Sequence, residues 1–419
     1  MELSKKKQTT VLLILSAIAG LVYLTPFLRF SFYDQMSTAL GLTDRQMGVI
    51  GGVYGALNVI SYVPSGFLTE RMNTKRLLLI SMFGMCATTI WYSLYPPFWA
   101  LVIIHGLYGV FSVGTFWCAY LKSVRSLAPE SGQGTIFGLS EGLRGVAQTA
   151  VAFLCLGALG IFATYAAGFR AVILINAAVF ALLFFAVLFL VPDFDKDAHK
   201  TADGKPEPVS ETLRHIFMGI RNPSNWLCIG IVMCGYALWN TVNGFIGTYC
   251  TRVLHISESL SSTLSILRSY IIVFVAGTTG GVFLDRFRTK GQGMMIFFLM
   301  CGLAALGLFL TESLVVVCVV ISILTAYFTN CIKSTYWSIL GDAGIPAEAT
   351  GSATGLISLI ALTPDFFTPP IISRFIDSAD RAGHIETGFH MMLFWMMAWA
   401  ALGIFFSLLL KRKKLYSAA

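Results

Sequence analysis

Six ionisable side chains interrupt runs that are otherwise apolar. They are Arg29 in "PFLRFSF", Glu141 and Arg144 in "FGLSEGLRGVAQ", Arg268 after "LSSTLSIL", Lys333 in "TNCIKSTYW" and Asp365 in "LTPDFFTPP". A charge at the centre of a bilayer costs at least about 2.5 kcal/mol even on a lenient insertion scale, so six in one chain predict a polar interior in which they face water or one another. Four are cations and two are anions. The surplus of positive charge points to an anionic small-molecule ligand, and a guanidinium grips carboxylate, sulfonate or phosphate in two places at once.

Other uses of the same residues remain open. Glu141 and Arg144 stand three apart on one helical face and could neutralise each other. Arg29 falls close to the outer end of its run, where a long side chain can snorkel to the interface. Lys333 and Asp365 lie on successive runs and could pair, or Asp365 could carry a coupled proton. His105 in "VIIHGLYG" is either a packed histidine or a proton-handling one. Trp117, Tyr120, Trp239, Tyr336 and Trp337 could line a cavity or serve as interface belt and packing. Asn240, Thr241 and Asn243 suit substrate hydroxyls or hydrogen bonds between helices. Gln148 continues the stripe of Arg144, whereas Gly138, Gly142 and Gly145 form a separate small-residue face suited to helix packing.

The elements that must hold these groups follow from composition. Of 419 residues, 56% are hydrophobic and 12% charged, about half the charged share of a soluble domain, which predicts an all-α polytopic membrane protein. A spanning helix needs about 20 mostly apolar residues. Twelve stretches qualify, at 10–33, 48–68, 77–95, 98–121, 134–158, 168–191, 225–250, 261–284, 291–311, 314–340, 350–375 and 389–410. The basic N-terminus followed by an apolar run resembles a signal peptide, but the run continues past Phe30 without a small-residue cleavage pattern, so it is read as the first span. Pro364, Pro369 and Pro370 predict a bent eleventh span.

With both termini in the cytoplasm, 20 of the 29 Lys and Arg fall in cytoplasmic segments and five outside, the sign of the positive-inside rule. The net charge of +8 is then accounted for without nucleic acid. The nine cysteines are scattered singly, which argues against a disulfide framework or a metal site. No phosphate-binding loop, metalloprotease helix or nucleophile elbow is present, so neither a cofactor nor an enzymatic activity is expected. The long polar stretch after the sixth run divides the chain into an N-terminal half at 1–191, a cytoplasmic linker at 192–224 and a C-terminal half at 225–419.

The halves share a signature. "GFLTERMNTKR" (Gly66–Arg76) follows the second span and "GVFLDRFRTKG" (Gly281–Gly291) the eighth. The glycine suits close helix approach, the acid a charge-assisted bond near a neighbouring helix end, and the basic residues retention in the cytoplasm. Both copies resemble the loop motif of the major facilitator superfamily, G-x-L-x-D-R-x-G-R-K-R. Gly66, Leu68, Glu70, Arg71, Lys75 and Arg76 match in the first copy, with Asn73 at the second glycine, and Gly281, Asp285 and Arg286 in the second. The resemblance implies twelve transmembrane helices in two six-helix bundles, with a substrate site between them. "WCAYLKSVRSLAPESGQGTIFGLSEGLRG" (Trp117–Gly145) is similar to the YihN-type permeases of enteric bacteria. More distantly, the layout resembles the organophosphate:phosphate antiporters. There Arg144 falls at a phosphate-binding histidine and Arg29 near a phosphate-binding arginine, while Trp239, Asn240 and Asn243 replace the arginine of helix seven.

The sequence therefore predicts a monomeric secondary transporter of the bacterial inner membrane, moving a small organic anion with a proton or counter-anion. Arg144 and Lys333 would bind substrate, assisted by Arg29, Arg268, Asn240, Asn243, Tyr120 and Trp117. Glu141, Asp365 and His105 would pair charges or carry the proton. Three alternatives stay open: a proton-driven symporter of a neutral sugar or nucleoside, a multidrug-type exporter, and a transporter-like membrane sensor.

Overall fold

The computed structural model describes residues 4–127, 133–194, 222–345 and 350–417. These residues fold as helices. The first unit contains α1 (Lys5–Leu24), α2 (Leu28–Ser31), α3 (Tyr33–Leu40), α4 (Asp44–Arg71), α5 (Thr74–Ser93), α6 (Phe98–Gly109), α7 (Trp117–Arg125), α8 (Gln133–Ile161) and α9 (Tyr165–Leu190). The second contains α10 (Pro223–Arg252), α11 (Glu258–Ile266), α12 (Ile272–Asp285), α13 (Lys290–Leu310), α14 (Val315–Thr335), α15 (Thr350–Ala361), α16 (Pro364–Arg381) and α17 (Ile385–Ser417). Joined across short breaks, they make twelve rods, ten of them long and apolar enough by themselves to cross a membrane. α4 and α5, whose ends carry the charges of the loop motif, complete the twelve.

Four of the rods are not even helices. The first rod stops at Leu24, because Pro26 has no N–H to continue the ladder, and resumes as α2 and α3 as far as Leu40. Arg29 therefore lies at an internal break, not near an outer helix end. The eleventh divides at Leu362–Thr363, immediately before Pro364, while Pro369 and Pro370 are absorbed inside α16. The fourth and eighth each contain a π-helical turn, at Val110–Gly114 and Leu267–Ile271. Such wide turns leave carbonyls open and recur at functional sites.

Of the described residues, the first compact unit takes those within 1–42 and 49–206, and the second those within 43–48 and 207–419. Inside the first, α1 packs on α8 and α5 on α9. A Cβ at Gly20 would sit 2.8 Å from the backbone oxygen of Arg144, so α1 and α8 cross at backbone distance there. Gln148 donates to the Gly20 carbonyl at 3.0 Å across the same crossing. Inside the second, α13 packs along α17, α12 on α14, and α10 on α17. The first turn of α4 belongs to this unit: Arg252 bonds Asp44 at 2.6 Å, and a Cβ at Gly48 would lie 2.8 Å from the Pro369 oxygen.

The repeated loop motif is built differently from the expectation. A Cβ added at Gly66 or Gly281 would meet nothing within 4 Å, so neither glycine serves close approach. In the second copy Gly280 does so, abutting Cys331 at 3.1 Å. Asn73, at the motif's second glycine, caps α5 through the Arg76 N–H at 3.2 Å and donates to Asp193 at 2.5 Å. Lys75 reaches the Leu188 carbonyl at 2.8 Å, and Arg71 lies 3.9 Å over the Phe67 ring. Asp285 pairs with Lys290, four residues past Arg286. The side chain of Glu70 and most of the 192–224 linker lie outside the described residues.

Candidate functional site

The first unit gathers its polar groups on α8. Arg144 Nη1 lies 3.3 Å from both carboxylate oxygens of Glu141, so the two do pair within one helix. The contact is long, and Glu141 is 57% exposed against 23% for Arg144. An exposed pair of this kind is worth at most about 1 kcal/mol, which leaves the guanidinium exchangeable. Its Cζ also sits 5.1 Å over the Tyr23 ring from α1, adding a cation–π contact. Trp117 and Tyr120, from the turn below the first π segment, stand beside this group, with Trp117 6.1 Å from Tyr23 and 5.8 Å from Tyr120. Tyr120 bonds the Ser140 hydroxyl at 2.8 Å, and Ser140 bonds Ser16 at 2.8 Å. The π turn contributes too, since the Ser112 carbonyl accepts from Tyr23 Oη at 3.4 Å.

Arg29 is 2% exposed, which removes the snorkelling reading, and stacks 4.7 Å over Phe30. His105 is buried with Nδ1 2.8 Å from the Leu101 carbonyl, edge-on to Tyr92 and Tyr108. That is a packed aromatic setting.

In the second unit the polar groups converge on α10. Tyr236 and Trp239 stack at 5.4 Å, with planes 23° apart. The Lys333 ammonium, in the last turn of α14, sits 3.2 Å over the Trp239 centroid and 5.9 Å from that of Tyr236. Asp365, in the first turn of α16, accepts from Tyr236 Oη at 2.7 Å and from Asn240 Nδ2 at 2.6 Å. Lys333 and Asp365 thus share Tyr236 as a neighbour, so the structure brings these two sequence candidates to one turn of α10. Asn243 takes the interhelical role instead, accepting from Ser269 at 2.8 Å.

Arg268 stands in the second π turn and is 1% exposed. Its Nη2 donates to Ser265 at 2.8 Å and its Nη1 to Ser322 at 3.1 Å, both neutral hydroxyls. Among the described residues no carboxylate joins them. Sequence reasoning missed Tyr23 and Tyr236, because an aromatic in an apolar run carries no signal by itself. Tyr236 could have been found as the residue one helical turn before Asn240.

Residues 11–369 match the family described as the Major Facilitator Superfamily. The chain belongs to it. Its relatives include the inner membrane protein YqcE of Escherichia coli K12, 25% identical over 99% of this chain and 97% of that protein. The inner membrane protein YihN of the same strain is 24% identical over 89% of each. Among solved structures, a bacterial homologue of the human lysosomal transporter Spinster, in an inward-facing and unoccupied conformation, superposes with a TM-score of 0.77. It covers 99% of this chain and 98% of that one at 16% identity, a likeness of fold. This member of the superfamily is a membrane transporter of a small molecule, not an enzyme.

Proposed function

We propose that this transporter moves a small organic anion by alternating access, driven by a proton or a counter-anion, as a monomer in a bacterial inner membrane with both termini in the cytoplasm. The observation that carries this reading is Arg268, a guanidinium buried among neutral hydroxyls. Burying an ion without a counter-charge costs several kcal/mol, a cost compensated when an anion arrives. Arg144 and Lys333 are the substrate-contacting cations. Each rests on an aromatic ring, and Arg144 also on the long, partly exposed contact to Glu141. Glu141 and Asp365 balance charge, and Asp365, which accepts from Tyr236 and Asn240, is the group assigned the coupled proton.

The test is counterflow of radiolabelled anions in proteoliposomes. Arg144→Gln and Lys333→Gln are each expected to lower uptake at least about tenfold, the worth of one charge-assisted bond. Unchanged transport in both variants would sink the site assignment. The contact between Glu141 and Arg144 favours a second reading, a proton-coupled symporter of a neutral sugar or nucleoside with its charges paired internally. Uptake of a neutral analogue that no anion can inhibit would decide for it.

A further inference from the structure

Among the described residues, Asn240 Oδ1, Asn330 Oδ1 and Thr368 Oγ1 are buried polar atoms with no hydrogen-bond partner. Their positions relate them to the charged pair. Asn240 bonds Asp365, Thr368 stands one helical turn beyond Asp365 on α16, and Asn330 one turn before Lys333 on α14.

The orientation of both amides is fixed by chemistry. Asn240 faces a carboxylate, which only accepts while ionised, so its NH2 points there and its carbonyl oxygen points elsewhere. Asn330 gives its NH2 to the backbone oxygens of Ala326 at 2.8 Å and Arg268 at 3.4 Å, both obligate acceptors. What these three side chains leave open is therefore two acceptors and one hydroxyl able to take either role. A carboxylate or sulfonate has no proton to offer them. Buried polar groups are as a rule satisfied, and an unmet one in a binding region points to a ligand or water that meets it.

From this we infer that the substrate carries hydroxyl donors beside its anionic group: a polyhydroxylated organic acid, not a simple carboxylate. The anionic half of this inference rests on the function proposed above; the hydroxyl half rests on Asn240, Asn330 and Thr368 alone. Lys333 takes the charge, while Asn240, Asn330 and Thr368 read the hydroxyls. Such a site discriminates strongly, because an analogue that lacks the donor leaves the acceptors unmet.

The experiment compares gluconate, hexanoate and sorbitol, matched in chain length, by thermal shift and by counterflow competition on the purified full chain. Gluconate is expected to bind at least about tenfold more tightly than hexanoate, the effect of a single satisfied hydrogen bond at the upper end of its range. Thr368→Val keeps the side-chain shape and is expected to cut that advantage about three- to tenfold without changing hexanoate. The melting midpoint of Thr368→Val without ligand checks its fold. Asn330→Leu, which removes a different acceptor, gives the same readout independently. Equal binding of gluconate and hexanoate overturns the hydroxyl reading while leaving an anion transporter in place. Sorbitol binding as well as gluconate overturns the anionic half together with the function it rests on. Failure of all three to bind overturns both.

Discussion

At the scale of single residues, the structure separates charges that look alike in sequence. Arg144 is partly open and paired, whereas Arg268 is closed off among serines. The two should answer substitution differently. Replacing a buried, uncompensated charge by an apolar chain of similar length is neutral or stabilising, so Arg268→Met is expected to raise unfolding stability by about 1 kcal/mol or more. The same change is expected to abolish counterflow. A loss of stability together with a loss of transport would mean that Arg268 is structural. The sequence made the six charges legible as a set, since any ionisable group stands out in an apolar run. It could not show what each one touches, and Tyr236, which joins Lys333 to Asp365, had no such contrast to announce it.

At the scale of elements, the runs of hydrophobic residues located the twelve rods because length and apolarity are strong signals. Proline marks the break of the eleventh span in the sequence, at Pro364, whereas the first span reads as continuous through Pro26 and is broken there. The π turns depend on how neighbouring helices pack and leave no composition cue. Glycine was the weakest guide. Gly66 and Gly281, conspicuous through the repeated motif, touch nothing, while Gly20, in an unmarked run, sets the crossing of α1 and α8. Gly20→Ala is therefore expected to destabilise by about 1–3 kcal/mol, since the atom it meets is backbone and cannot rotate away. Gly66→Ala, inside α4 with open space beside it, should be neutral or stabilising by up to about 1 kcal/mol through helix propensity. Guanidinium unfolding of the two variants in the same detergent checks both.

At the scale of the whole chain, the most informative quantity was the distribution of lysine and arginine, not their total. With 20 of 29 assigned to one side, a reporter fused after Ala419 that is active only in the cytoplasm is expected to be active, and a periplasm-dependent one silent. The reverse pattern would invert the topology. With that topology the net charge of +8 needs no nucleic acid to account for it.

The π turn at Leu267–Ile271 adds a consequence of its own. It holds one more residue than an α-helical turn in the same length of rod. Letting it relax to ordinary geometry would rotate the flanking segment by about 100°, the angle of one residue about the helix axis. Arg268 stands in that turn. The aim of that guanidinium is a matter of helical phase, adjustable by winding within one turn.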